Sequence, residues 1–520
     1  FGGISRRLGS HGGFFRRAIQ DTNWPQIYPE GYLPLIEPDV LDASATAGVR
    51  GVRSGWFWDL SAQYGHNSFD FNVTNSLNVS LGPGIPPNQT DFYAGSLIFD
   101  QIVTNLDLSR QVAIGLAKPI NVAVGAEYRR ENYEIIAGEP NSYADGGSPN
   151  RFGGRAVPGA QVFPGFRPSN EVDIARSSVA AYVDLEGDLL PALRVGVAGR
   201  VERYDDFGST ADGKLTARVQ IDPRFIVRGA VSTGFRAPSL GQSYFSAIST
   251  NFLAVGGQLV PFEVGTFPVS SPQARVLGAQ DLKPEQSVHY SAGLVWNPSD
   301  RIEVTTDLYQ VDIDDRIAIS GNFTGGRISA LLLPLGATGA RFFTNAVDTR
   351  TRGLDLTAAY THPFGDRARF KGSAAYNQNR NEVLRIADTP PQLAGFQSVL
   401  FDAIEVRRIE CGQPRNNYRM TGELTGMRLG GIVRASRYGQ YCLVDRQVVP
   451  QDFEPEWVTD LEVTYRTGRF IVGAGAQNLF DVFPDKNLLP NSNLGIFTYP
   501  SSSPFGMNGR FIYSRLTVRF

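Results

Sequence analysis

The sequence predicts an all-β fold, a transmembrane antiparallel β-barrel with about eighteen strands in view. Three observations carry that reading. Apolar residues recur with a period of two, short turns alternate with long polar loops, and long amphipathic helical patterns are almost absent. No segment approaches the roughly 20 apolar residues that a membrane helix needs. The nearest run, Ile328 to Leu335, is broken by Pro334. A barrel strand escapes that test, because only alternate residues meet lipid.

Composition supports one large β body. The 520 residues include 56 Gly, 33 Phe and 20 Tyr, and no linker or low-complexity tract divides them. With 49 Lys+Arg against 51 Asp+Glu the net charge is −2. That argues against nucleic acid as a partner, since phosphate binding needs a basic surface.

The alternation is clearest in six stretches, taken in chain order. Val179, Ala181, Val183 and Leu185 oppose Tyr182, Asp184 and Glu186. From Lys214 to Ile221, Leu215, Ala217, Val219 and Ile221 face away from Lys214, Thr216, Arg218 and Gln220. Ile302, Val304 and Leu308 make the next stripe, and Leu354, Leu356, Ala358 and Tyr360 another. Trp457, Leu461, Val463 and Tyr465 oppose Asp460, Glu462 and Thr464. The last stretch, Arg510 to Phe520, places Ile512, Leu516, Val518 and Phe520 on one face.

A soluble sandwich shows the same period, so the connections decide. Short turns fall at Arg53–Gly55, Ile221–Arg224, Asn297–Arg301, His362–Arg367, Gly426–Gly430 and Thr467–Arg469. Between them lie long Gly/Pro-rich loops: Asp21–Asp42, Val73–Asp91, Gly138–Glu171, Ala237–Pro284, Ile319–Val347, Arg385–Asn416 and Phe480–Asn508. Short turns on one side and long loops on the other describe a bacterial outer-membrane barrel. Trp56, Trp58, Trp296 and Trp457 fall near strand ends, where aromatic girdles sit.

Few residues suggest chemistry. His11, His66, His289 and His362 are scattered without metal-ligand spacing, so no metal or cofactor is expected. His66 reads as a solvated wall residue. Gly473 and Gly475 only faintly echo a dinucleotide loop, because no helix follows them. No phosphate loop, zinc motif or nucleophile elbow is present, and an enzyme is not expected. Cys411 and Cys442 lie on either side of the turn near Gly426. A hairpin centred there brings them together at the external strand ends, and an oxidising periplasm favours a disulfide. Two free thiols for metal or redox work are the alternative.

The external loops are where a ligand would be caught. Gly138–Glu171 carries Tyr143, Arg151, Phe152, Arg155, Phe163, Phe166 and Arg167, and the loop after Phe235 carries Tyr244, Phe245 and Phe252. Arginine forks onto carboxylates, and aromatic rings stack on flat ligands. Self-packing, the default for any long structured loop, explains the same residues.

Three segments resemble the TonB-dependent receptors. Ser232-Thr-Gly234-Phe235-Arg236-Ala237-Pro238-Ser-Leu-Gly241 is similar to the family's passage from a mid-barrel strand into a long external loop. Asp281-Leu-Lys-Pro-Glu-Gln-Ser287 resembles its return. Ala476-Gln-Asn478-Leu479-Phe480-Asp481, with Pro484 and the terminal Phe520, resembles its C-terminal signature, and the last strand, Arg510 to Phe520, resembles the signal that the barrel-assembly machinery reads. The resemblance implies a barrel of twenty-two strands around an N-terminal plug. Residues 1–520 are then expected to be barrel alone, with the plug and about four strands preceding Phe1. It further implies a receptor in the outer-membrane lipid, importing a scarce small-molecule nutrient such as a ferric siderophore, with TonB acting through the absent plug. A passive porin-like channel and a loop-based surface-binding protein are the rival readings. Pairing of the first strand with the last would favour the channel.

Overall fold

The computed structural model describes residues 1–84, 89–116, 118–255, 258–444 and 448–519. For residues 249–263 no side chain is described, which leaves Phe252 outside, and Phe520 also lies outside the described residues. The wall strands are β1 (Gly2–Leu8, continued by His11–Gly12), β2 (Leu35–Arg53), β3 (Trp56–Thr74), β4 (Phe92–Val112), β5 (Ile120–Ala137) and β6 (Val172–Leu190). Next come β7 (Leu193–Tyr204), β8 (Gly208–Asp222), β9 (Phe225–Arg236), β10 (Glu285–Ser299), β11 (Ile302–Ile319) and β12 (Phe343–Phe364). The series ends with β13 (Ala368–Ile386), β14 (Asn416–Gly426), β15 (Leu429–Tyr438), β16 (Glu456–Thr467), β17 (Phe470–Gln477) and β18 (Phe511–Val518). Each strand pairs antiparallel with its neighbours in the chain, making one continuous sheet. Among the described residues β1 pairs only with β2, and β18 only with β17.

Period two sorts the side chains onto two faces. Val179, Val183 and Leu185 on β6, Leu215 and Val219 on β8, and Leu461, Val463 and Tyr465 on β16 are all exposed. An exposed apolar stripe of this extent is stable only against lipid. Trp296 and Trp457 lie exposed near the ends of β10 and β16, and Trp56 opens β3. Several strands outrun the membrane: β4 has 21 residues and β12 has 22, where about 9–11 suffice to cross. Above the apolar stripe the outer wall turns polar. His66 Nδ1 there lies 2.9 Å from Asp100 Oδ1, beside the Tyr64 hydroxyl bonded to the same carboxylate.

The inner face is polar and cross-linked. Arg228 of β9 forks onto Asp307 of β11 at 2.7 Å, passing over β10. It can do so only because Gly293 lies between them. A Cβ at Gly293 would stand 2.1 Å from Asp307 Oδ1 and 2.7 Å from Arg228 Nε. Gly353 of β12 likewise makes room for the Tyr309 ring, whose Cζ would be 2.1 Å from a Cβ there.

The connections depart from the expectation in three places. Alternation of turn length is not strict, since residues 205–207 form a three-residue turn on the long-loop side. There Tyr204 stacks on Phe207 at 4.4 Å, and Gly208 takes a positive φ of 107° that closes the turn. A further loop, 439–455, separates β15 from β16. The stretch Asp21–Asp42 is loop only as far as residue 34, because β2 starts at Leu35.

Among the described residues, the largest apolar core lies in the loops. Leu277 after β9, Phe323, Ile328, Leu332 and Phe342 after β11, and Leu393 and Leu400 after β13 are nearly or fully buried in one cluster. The barrel wall needs no such core, because its apolar side is covered by lipid.

Candidate ligand-binding mouth

Three packed groups of loops form the mouth. In the first, Trp24 Nε1 donates to Val79 O at 3.1 Å, and Asn78 Nδ2 donates to Asn141 O and Ala144 O at 2.9 Å. These bonds join loops 13–34, 75–84 and 138–171. Phe163 stacks on Phe71 at 4.5 Å, and Phe166 meets Phe163 edge-on at 5.4 Å and Phe245 at 6.0 Å. Such aromatic contacts each contribute about 0.5–1.5 kcal/mol beyond area burial. The second group is the loop core described above. There Arg327 spans from 320–342 to 387–415, donating to Ala394 O at 2.9 Å and Gln392 O at 3.0 Å. The loop 237–284 belongs to both groups: Leu240 and Ala247 pack in the first, Val269 and Leu277 in the second.

The third group is stapled covalently. Cys411, just past the helix Ala403–Glu410, is joined to Cys442, with Cα atoms 5.4 Å apart. The bridge sits beyond the ends of β14 and β15, on the loop side. Tyr441 stacks on Phe453 at 4.9 Å, and burial pushes its hydroxyl up to about 12. Asn491 Nδ2 donates to Val449 O at 2.9 Å, tying 439–455 to 478–510. A cavity of about 380 Å³ opens beside the disulfide, lined by Arg407, Glu410, Arg415, Gln440, Tyr441 and Asp452. No local pattern marked these residues, because the bridge and the folded loops assemble them.

The first and third groups touch across the two wall edges that are unpaired among the described residues. Arg17 donates to Asn493 O at 3.2 Å, and the Phe14 and Phe497 rings meet at 5.7 Å. Nearby, Arg16 is buried with neutral acceptors, Gln161 Oε1 at 3.1 Å and Phe14 O at 2.9 Å. Burial draws its guanidinium down to about 10, slightly opposed by Tyr32.

The sequence-predicted contact residues divide by exposure. Phe152 is 66% exposed with Arg151 5.1 Å above its ring, and Arg155 is exposed near Asp145 at 3.7 Å. Tyr143, Tyr244 and Phe245 are half-buried, and Tyr143 ends the short helix Pro140–Tyr143. Phe166 is 1% exposed, so its ring serves loop packing and offers no surface to a ligand in this arrangement. Below the loops, the inner wall carries a network that the sequence reading missed. Buried Arg176 of β6 reaches Glu131 of β5 at 2.5 Å, Asp206 at 3.4 Å and Pro238 O at 2.6 Å. Alongside it Arg129 pairs with Glu127 at 2.8 Å, and Arg200 with Glu202 at 3.0 Å. The odd-numbered charges 127, 129 and 131 of β5 were its only sequence signal.

The family-like segments have structural roles here. Arg236 and Glu285 face each other where β9 leaves and β10 re-enters the wall, bonded from Arg236 Nε at 2.9 Å. Glu285, 5% exposed, also accepts from Ile317 N at 2.7 Å. Gly234 and Phe235 complete the same ladder, and the Ala237–Pro238 step hands the chain to the helix Leu240–Tyr244. Asn478 takes a left-handed φ of 50° and closes a turn onto Val482, accepting from its N at 2.9 Å and donating to its O at 2.7 Å. Leu479 N donates to Thr459 O at 2.7 Å, and Phe480 is 70% exposed.

A family model described as "TonB dependent receptor-like, beta-barrel" matches residues 5–479. The chain belongs to this family. As a TonB-dependent receptor barrel it is a protein of the outer membrane. It is similar to the ferric enterobactin receptor of Pseudomonas aeruginosa, at TM-score 0.61 and 16% identity, covering 100% of this chain and 66% of that one. The siderophore receptor PirA of Acinetobacter baumannii gives TM-score 0.59 and 15% identity, over 94% of this chain and 63% of that one. At these identities the likeness shows the fold. The iron-regulated outer membrane virulence protein of Vibrio cholerae is 24% identical over 149 residues, 29% of this chain and 20% of that protein. The chain thus spans somewhat under two-thirds of the length of the similar receptor structures.

Proposed function

We propose that this barrel is the wall and mouth of an active importer, taking a ferric siderophore across the outer membrane. The observation that supports import over passive conduction is the unsealed wall. Among the described residues, Gly2–Leu8 and Phe511–Val518 each pair on one side only. Unpaired strand edges are not stable in lipid, so an eighteen-strand closed pore is disfavoured. About four further strands and a plug would complete the architecture that the family implies. Energy then comes from TonB, acting on that plug.

The named functions of the similar proteins, reception of ferric enterobactin and other siderophores, favour an anionic iron chelate as cargo. Arg151, Phe152 and Arg155 offer a cationic and aromatic surface for its capture, and the half-buried Tyr143, Tyr244 and Phe245 are further candidate contacts. The test is growth under iron limitation on single ferric siderophores, comparing a deletion strain with one carrying the gene. Growth restored on a ferric catecholate, and lost again without TonB, is expected. Growth that persists without TonB would instead establish a passive channel. Uptake of every chelate unchanged by deletion would refute import.

A further inference from the structure

Two arginines stand directly opposite one another on the outer face of the wall. In the ladder between β12 and β13, Arg352 pairs with Arg380, and both are exposed. Like charges in direct register repel, so such a pair needs compensation. What it receives inside the protein is partial, because two carboxylates, Asp312 and Glu382, are shared among Arg350, Arg352 and Arg380. Arg352 Nε donates to the neutral Gln310 Oε1 at 2.8 Å, and Arg380 reaches Glu382 of its own strand at 2.8 Å. The next arginine outward, Arg350, is held by Asp312 at 2.6 Å.

Their position along the strands is informative. On β12 the lipid-facing stripe runs Tyr360, Ala358, Leu356, Leu354, and Arg352 is the next residue on that face. On β13, Ala374, Tyr376 and Gln378 precede Arg380 on the same face. Tyr376 packs against Tyr418 of β14 at 4.7 Å, and Arg437 of β15 lies 5.8 Å from the Tyr418 ring, paired in the ladder with Trp457. A row of tyrosine and tryptophan at the rim of an apolar stripe marks the headgroup zone of the bilayer. The facing arginines stand at and just beyond it, where lipid phosphates lie.

We propose that Arg352 and Arg380, flanked by Arg437, clamp a phosphate of an outer-leaflet lipid. A phosphate between the two guanidinium groups replaces their repulsion with charge-assisted hydrogen bonds. Guanidinium geometry suits that contact, since each fork can grip two phosphate oxygens. The interaction is independent of cargo and of energy coupling, and requires only the membrane-embedded wall.

The test uses the full chain purified in detergent and titrated with lipid A, a phosphorylated glycolipid, or with its dephosphorylated form, bound lipid being counted by native mass spectrometry. The R352Q/R380Q variant is expected to weaken binding of the phosphorylated form at least about tenfold. It should leave the dephosphorylated form unaffected. R218Q is the control, because Arg218 alternates with the lipid-facing Leu215, Ala217 and Val219 and so faces inward. Heat-modifiable gel migration reports folding of every variant. Equal binding of the two lipids by the wild type, or equal loss in R218Q, overturns the proposal. Displacement of the lipid by millimolar inorganic phosphate would also overturn it, by making the site one for a free anion.

Discussion

Replacing Gly293 by alanine tests whether the inner wall is held by side chains that cross over a glycine. The added Cβ would fall 2.1 Å from Asp307 Oδ1 and 2.7 Å from Arg228 Nε, well inside contact distance. Either the ion pair separates or the strands shift. Arg228 and Asp307 are 49% and 34% exposed, so the pair itself contributes no more than about 1 kcal/mol. Overpacking the contact instead costs about 1–3 kcal/mol, so the expected loss is roughly 1–3 kcal/mol. In an Asp307→Ala background the nearer obstruction is gone and Arg228 can swing aside. The same substitution should then cost under about 1 kcal/mol, a coupling of about 1–2 kcal/mol. Urea unfolding of the full chain in lipid vesicles, followed by tryptophan fluorescence, reads both numbers, and Trp296 lies on the same strand as Gly293. An equal loss in the two backgrounds would refute the crossing as the reason for glycine.

Removing the bridge with Cys411→Ala and Cys442→Ala should lower the stability of the third loop group by about 3–4 kcal/mol, given the separation of 31 residues. Limited proteolysis should cut first within 387–415 or 439–455, and unchanged protection would contradict this. Asn478→Ala should destabilise the β17 exit by about 1–3 kcal/mol, through two lost bonds to Val482 and a strained φ of 50°. Asn478→Gly keeps the φ without the bonds, so its thermal midpoint should fall between alanine and wild type.

How much was legible depended on how local each signal was. The stripe Leu354 to Tyr360 announced β12 because period two is written in adjacent residues and lipid selects every second one. The turn at residues 205–207 went unseen because three residues before Gly208 make no long Gly/Pro-rich tract. Ile328 to Leu335 stood out only as a run too short to cross a membrane. It forms the helix Gly326–Leu332 and its continuation, with Ile328 and Leu332 inside the loop core. Its partners Leu277 and Leu393 belong to other loops, and no periodicity links such distant positions. Phe166 read as a ligand-facing aromatic for the same reason. Burial among Phe163 and Phe245 is a tertiary property that composition does not carry. Arg236 and Glu285 were each visible inside a family-like segment, but their pairing required the register of β9 against β10.

The loop core has a consequence for the order of assembly. Its residues come from the connections after β9, β11 and β13. Each of those connections must reach the cell exterior before Leu277, Phe323 and Leu393 can meet. Hydrophobic collapse on the outside therefore waits until at least β14 is placed. Until then each connection can bury its apolar side chains only in part, as Phe323 and Phe342 do within one of them. An interruption anywhere from β9 to β14 would leave an external cap without its core while the neighbouring wall stands.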